Sequence, residues 1–392
     1  MAGTDKLYVI KAICNHMFEI AQKYGINSKE EPLLLVFALT GISAFNINGH
    51  TIHFALMLSI NSNNLKLSSK SLKKLQQLFK NVKVILFDKK SMISYKLLVT
   101  IDQYLYQIFS QNKDMLFDPR LHDFISESGH KIYTQFNKTF KLETIQRQAG
   151  DLKEQQAFRS LLLYLQDGKS TKDNWQLYNN RVRTFISSTE KAKFKDAIRL
   201  FTIWDHVDEY NILKLKQLNL SIAKIKAVYS GTGAKNAPSD TTNSLDPILF
   251  LSIGAHVMLI SNLWTNQGLV NRTMGMVVDI LYELGRTPPL LPTVILAKMN
   301  NYMGSMISIL NYHKVVPIWL IKYTWKGKSE NCFRMQFSLC LAWAITIHKS
   351  QGLTLQHAII NLGNKEFATG LTFVGISRVH ALTDLLFKFN FL

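Results

Sequence analysis

The sequence has 392 residues, 47% of them hydrophobic, enough for two or three domains with sizeable cores. Its formal charge of +19, from 46 Lys and Arg against 27 Asp and Glu, suits a polyanionic partner, nucleic acid being the commonest; a basic protein without such a partner is the plainer alternative. Three cysteines (Cys14, Cys332, Cys340) without CxxC or Cys/His spacing argue against a disulfide framework or a zinc site, and with neither a signal-like start nor a bilayer-length apolar run an intracellular, reducing setting is expected.

Apolar residues recur at helical spacing over Tyr8–Tyr24, with Val9, Ile13, Met17 and Ile20 near one face. Leu33–Ala38 is a short apolar run ending in Thr40-Gly41 and reads as a buried strand. Thr51–Ser59 reads as a short helix, and Ser68–Phe79 as a basic amphipathic helix with Leu72, Leu75 and Leu78 on one side. Val82–Phe87 is a second buried strand, ending in Asp88, and Leu97–Phe109 a further helix. Helices between apolar strands that end in polar residues signal a parallel α/β sheet. Asp151–Gln166, Lys191–Ala197 and Val207–Leu218 read as helices, Lys224–Val228 as a strand, and Ser230–Leu245 as a loop. From Leu249 to about Arg334 short strands alternate with turns, notably at Gly285-Arg286-Thr287-Pro288-Pro289. Leu339–Ile347 and His357–Asn361 restore the buried-strand pattern. Trp175, Trp204 and Trp264 read as packing aromatics rather than base-stacking platforms.

Two stretches near the C-terminus are the most specific. Trp343-Ala344-Ile345-Thr346-Ile347-His348-Lys349-Ser350-Gln351-Gly352 and Gly370-Leu371-Thr372-Phe373-Val374-Gly375-Ile376-Ser377-Arg378 are apolar runs that break into polar clusters. Each cluster sets a Lys or Arg beside small hydroxyl and Gly residues, a composition suited to phosphates. Upstream stand Thr40-Gly41-Ile42-Ser43-Ala44-Phe45…Thr51-Ile52-His53, Asp88, Gln146-Arg147-Gln148, and Gly268-Leu269-Val270-Asn271-Arg272-Thr273-Met274-Gly275. In this order the motifs resemble those of Pif-type (petite integration frequency) superfamily 1 DNA helicases, including the copies in Helitron-like transposons.

That resemblance runs from residue 2 to about residue 388. It implies an α/β protein of two RecA-like parallel-sheet domains (the P-loop NTPase fold), over 1–140 and 141–392, with a small β-barrel insertion at about 276–336. It implies ATP and Mg²⁺ as cofactors, with ATP between the domains, and single-stranded DNA or DNA junctions as partners. The activity implied is 5′-to-3′ DNA unwinding by a monomer, in the nucleus if the source is eukaryotic. Gly3, Thr4 and Lys6 fall in the phosphate loop, and Gln351 and Gly352 also border the nucleotide. Asp88 holds Mg²⁺ through water, while Arg147 and Arg378 reach the γ-phosphate. Thr40, Gly41, Phe45 and His53 in one domain, and Thr346, His348, Lys349 and Ser350 in the other, hold DNA.

The chain also departs from the pattern. Asp5 and Leu7 replace the last Gly and the Mg²⁺-binding hydroxyl of the phosphate loop, and Lys89 replaces the Glu that follows Asp88. A cation there cannot accept the attacking water's proton. The strand ahead of the phosphate loop and the Gln-bearing motif between Asp88 and Arg147 are missing, and Arg272 stands where the family has Gly. Two readings follow. One is an ATP-dependent helicase, impaired in hydrolysis; the other is a catalytically dead remnant that at most binds single-stranded nucleic acid.

Overall fold

The computed structural model describes residues 6–26, 32–58, 66–88, 93–109, 132–138, 152–238, 241–285, 287–305, 315–327, 330–363 and 370–388, with the single residues 130, 140, 142, 148 and 150. They fall into two compact units, within Thr4–Thr144 and within Ile145–Leu392.

The first unit is built on β1 (Leu34–Ala38), β2 (His50–Thr51) and β3 (Val84–Asp88), all parallel in the order β2-β1-β3. Successive side chains of a strand point to opposite faces, so β1 feeds two cores. Leu35 and Phe37 pack with Leu75 and Phe79 of the helix Ser69–Phe79 and with Ile101 and Tyr104 of the helix Tyr95–Ile108. Val36 and Ala38 pack with Ile10 of the helix Lys6–Lys23 and with Ala44 and Ile47. Burial on both faces explains why β1 is a continuous apolar run rather than an alternating one. Ser68 and Ser94 start their helices by accepting the Ser71 and Leu97 amides at 3.2 Å. Gly49 is required by close approach: a Cβ there would lie 2.4 Å from the Val36 carbonyl oxygen.

The second unit carries a parallel sheet of β4 (Ile198–Phe201), β15 (Ala344–Thr346), β16 (Ala358–Asn361) and β17 (Leu385–Phe387), in the order β15-β4-β16-β17. Between β4 and β15 the chain makes the helix Trp204–Gln217 and then β5 (Ala223–Lys226), β6 (Val228–Ser230), β7 (Ile248–Leu251), β8 (His256–Leu259), β9 (Met274–Leu281), β10 (Val294–Met299), β11 (Val315–Ile318), β12 (Leu320–Lys326), β13 (Asn331–Phe337) and β14 (Leu339–Leu341). These pair antiparallel as β11-β10-β9-β8-β14, β12-β13-β6 and β5-β7 around a core that includes Leu251, Val257, Ile295 and Phe337. Among the described residues the five-stranded order is open, with β11 and β14 at its edges, and not a closed barrel.

Arg334 on β13 organises this part. Its side chain is 1% exposed and donates to the carbonyls of Ala234, Lys235, Ala237 and Leu245 and to Thr242 Oγ1, at 2.8–3.3 Å. One buried cation thus satisfies the carbonyls of the Ser230–Leu245 loop, a need its sequence does not reveal.

Several elements differ from the sequence reading, among them a strand read at Lys224–Val228 that is divided between β5 and β6. Lys191–Ala197 is not a helix: the helix is Ser188–Ala192, capped by Ser187, and turns follow it. Leu339–Ile347 is not one strand. β14 pairs antiparallel with β8, the chain crosses at Ala342-Trp343, and β15 joins β4 in the parallel sheet. A continuous apolar run cannot signal such a change of sheet. β4 escaped notice because it has four residues, one of them Arg199.

Candidate nucleic-acid and nucleotide sites

The segment Thr346–Gly352 leaves the carboxyl end of β15 as the short helix Ile347–Ser350. Thr346, 3% exposed, caps it by accepting the Lys349 amide at 3.2 Å, and Ser350 Oγ donates to the Ile347 carbonyl at 2.7 Å. Ser350 is fully buried, so it holds the turn rather than facing solvent. Gly352 at φ +93° turns the chain away in a region that disfavours other residues. Asn211 anchors the strand: its Oδ1 accepts the Ala344 amide at 2.8 Å, and its Nδ2 donates to Ala344 O at 3.1 Å and Leu341 O at 3.3 Å.

His348 is exposed, and Lys349 Nζ lies 4.2 Å from the centroid of the Trp204 ring. Trp204, first residue of its helix, is 50% exposed, and Trp264 is exposed as well; neither is a core aromatic, contrary to the sequence reading. Burial raises the carboxyls of Asp208 and Asp246 above the usual range, and Lys349 pulls both back. Arg272 Nη1 donates to the Gln351 carbonyl at 2.8 Å. At φ +77° Arg272 occupies the left-handed conformation expected of the glycine it replaces.

Ser377 and Arg378 end the helix Leu371–Ile376. Arg378 is 5% exposed; its Nε donates to Val374 O and its Nη2 to Ser377 Oγ, both at 2.7 Å. Gln148 Nε2 donates to Val379 O at 2.8 Å, which brings the end of the Gln-Arg-Gln stretch to the residue after Arg378. Arg159 Nη1 holds Gln148 O at 2.7 Å and Gly150 O at 3.0 Å. Arg147 itself lies outside the described residues, as do Gly3 and Thr4.

In the first unit Thr40 stands at the N-cap of the helix Gly41–Asn46 without a side-chain cap to its backbone, its Oγ1 donating instead to Ser43 Oγ at 2.9 Å. Gly41 is buried, and Phe45 and His53 are half-buried. Burial holds the His53 imidazole below its usual pKa. The exposed ring of this stretch is Phe54, 75% exposed and 6.0 Å from the His50 ring. Lys6 is exposed at the start of its helix, and Leu7 packs toward the core. Asp88 ends β3, half-buried and paired with Ala38. Among the described residues no group of three His, Cys, Asp or Glu could hold a metal. With Leu7 in place of the hydroxyl and Lys89 beside Asp88, the residues present fit Mg²⁺ poorly.

The PIF1-like helicase family model matches residues 1–120. The human ATP-dependent DNA helicase PIF1 is 33% identical over 189 residues, covering 48% of this chain. Over residues 1–120 the chain is thus similar to PIF1-like helicases. The match spans 26% of the human protein's length, so it reaches only part of that relative. A Pif1 helicase from Candida albicans superposes with TM-score 0.74 at 23% identity, over 100% of this chain and 89% of that one. A Bacteroides Pif1 in complex with ADP-AlF3 and single-stranded DNA superposes with TM-score 0.66 at 21% identity, over 100% and 87%. The fold of the chain is therefore the RecA-like P-loop NTPase fold.

Three groups at these sites were missed in the sequence: Asn211, Trp204 and Phe54. A valine-and-asparagine helix face reads as ordinary packing, and the partners of Asn211 lie 130 and 133 residues away. Trp204 and Phe54 carry a weak signal, each being an aromatic within a few residues of a strand end.

Proposed function

We propose that this chain grips single-stranded DNA as a Pif-type helicase and that its coupling to ATP hydrolysis is weak. The observation that carries the first half is Lys349 over the exposed Trp204 ring, on the turn capped by Thr346. A cation and an aromatic face side by side suit a strand's phosphate and base, with little sequence preference. Net charge of +19 supplies long-range attraction. Binding of a fluorescent oligonucleotide at roughly 50 and 200 mM salt tests this, the interval over which several phosphate contacts are felt. Steep weakening with salt is expected, and Lys349→Ala and Trp204→Ala each lower affinity about tenfold. Salt-independent binding by a folded sample defeats the proposal.

The second half rests on Leu7, Lys89 and the poor fit to Mg²⁺. Loss of one positioned catalytic group commonly costs about a hundredfold in rate. The competing reading is a fully working 5′-to-3′ helicase, favoured by the intact Thr346–Gly352 and Ser377-Arg378 stretches. DNA-stimulated ATP turnover of order 1 s⁻¹, in the ordinary enzyme range, would establish it instead.

A further inference from the structure

We propose that the second unit carries a separate pocket for a nucleotide unit, with Arg199 as its phosphate contact and Tyr210, Phe201 and His206 as its ring wall. The pocket has a volume of about 460 Å³ and includes Asn361 at the end of β16, Gly363 just past it and Lys388 just past β17. Cavities of that size take small molecules. None of Thr346–Gly352 and not Arg378 lines it. It sits where β4 and its neighbour β16 send their connections opposite ways, β4 toward β15 and β16 toward β17. The crevice at such a reversal is the favoured ligand position of open α/β sheets.

The chemistry points to an anion. Arg199 is half-buried, with its guanidinium carbon 4.3 Å from the centroid of the Tyr210 ring. Its Nε is buried without a hydrogen-bond partner, and it forms no ion pair among the described residues. Burial works against its charge, Tyr210 offsets that in part, and the positive Arg183 opposes it again. A desolvated cation lacking an acidic partner is costly, and a bound phosphate would offset the cost. The ring wall is built: Phe201 lies 6.0 Å from both His206 and Tyr210. Glu209 also lines the pocket and disfavours a polyphosphate, so a single phosphate monoester fits best. The nucleotide is either free or one unit of a bound strand. Only the second source rests on the DNA-binding reading; it is geometrically open because Phe201 pairs with Thr346 across β4 and β15.

The test titrates the full chain with dTMP, followed by ligand-detected NMR, and in parallel with a fluorescent dT oligonucleotide. Arg199→Gln should weaken dTMP binding about tenfold or more. Arg199→Lys should give an intermediate loss, since it keeps charge without the planar fork. Oligonucleotide affinity that falls in Arg199→Gln while dTMP alone does not bind assigns the pocket to a strand-held nucleotide. Arg199-dependent dTMP binding without oligonucleotide binding supports the pocket and removes the DNA reading. Unchanged binding of both ligands in a folded Arg199→Gln protein overturns the proposal. Should that variant lose its far-UV circular dichroism, Arg199→Lys and Lys388→Gln carry the same comparison with the same expected and overturning results.

Discussion

The two units meet the same architectural demand with different completeness. In the second, four parallel strands order the motifs at their carboxyl ends, and each motif is tied down: Thr346 by its cap, β15 by Asn211, Arg378 by Val374 and Ser377. In the first, three parallel strands are described, β3 forms an edge among them, and Val84 at its start is exposed. Asp88 ends that strand, and Lys89 follows it in the sequence. The contrast lies in how the strand ends are held: those of the second unit are tied by named side chains, while the first unit carries the replacements Leu7 and Lys89.

The largest way to break the comparison is to weaken the second unit. Arg334→Ala strands up to five buried oxygen acceptors of the Ser230–Leu245 loop, and should cost about 3 kcal/mol or more in chemical denaturation of the second unit. A loss under about 1 kcal/mol would mean that water replaces the guanidinium.

A change in the first unit should narrow the gap from the other side. Asp102 is buried with one oxygen unpartnered, and burial raises its pKa to about 6. A raised folded-state value means that the protonated form is favoured by folding. The stability from that proton is fully present below about pH 4 and is lost as pH rises through 6. Asp102→Asn should flatten this dependence and stabilise the first unit by of order 2 kcal/mol at pH 7. Thermal melts from pH 4.5 to 7.5 check it; parallel curves for the two proteins would place the titration elsewhere.

Arg272 tests the coupling within the second unit. Arg272→Ala keeps the left-handed strain and loses the bond to Gln351, costing about 2 kcal/mol, while Arg272→Gly relieves about 1 kcal/mol of that. Equal stabilities for the two variants would show that backbone strain is negligible there. The smallest expected effect is in native-state hydrogen exchange. β1, paired on both sides, and β3, paired on one among the described residues, should differ about tenfold, with β3 faster. Equal slow exchange would mean that β3 is covered.

Much of the fold was legible along the chain. β1, β3 and the helices Lys6–Lys23, Ser69–Phe79, Tyr95–Ile108 and Lys153–Gln166 follow from local periodicity and, for Ser68 and Ser94, from caps. The order of the motifs and the excess of positive charge can likewise be read along the chain, and they carried the resemblance to Pif-type helicases. What the sequence could not show depends on partners far away. Asn211 reaches Ala344 across 133 residues, Gln148 reaches Val379 across 231, and Arg334 reaches Leu245 across 89. The split of Leu339–Ile347 between two sheets, the exposure of Trp204 and the pairing of Arg272 with Gln351 are of the same kind. Periodicity reports which face of an element is apolar; only the packed chain decides which strand, ring or carbonyl that face meets.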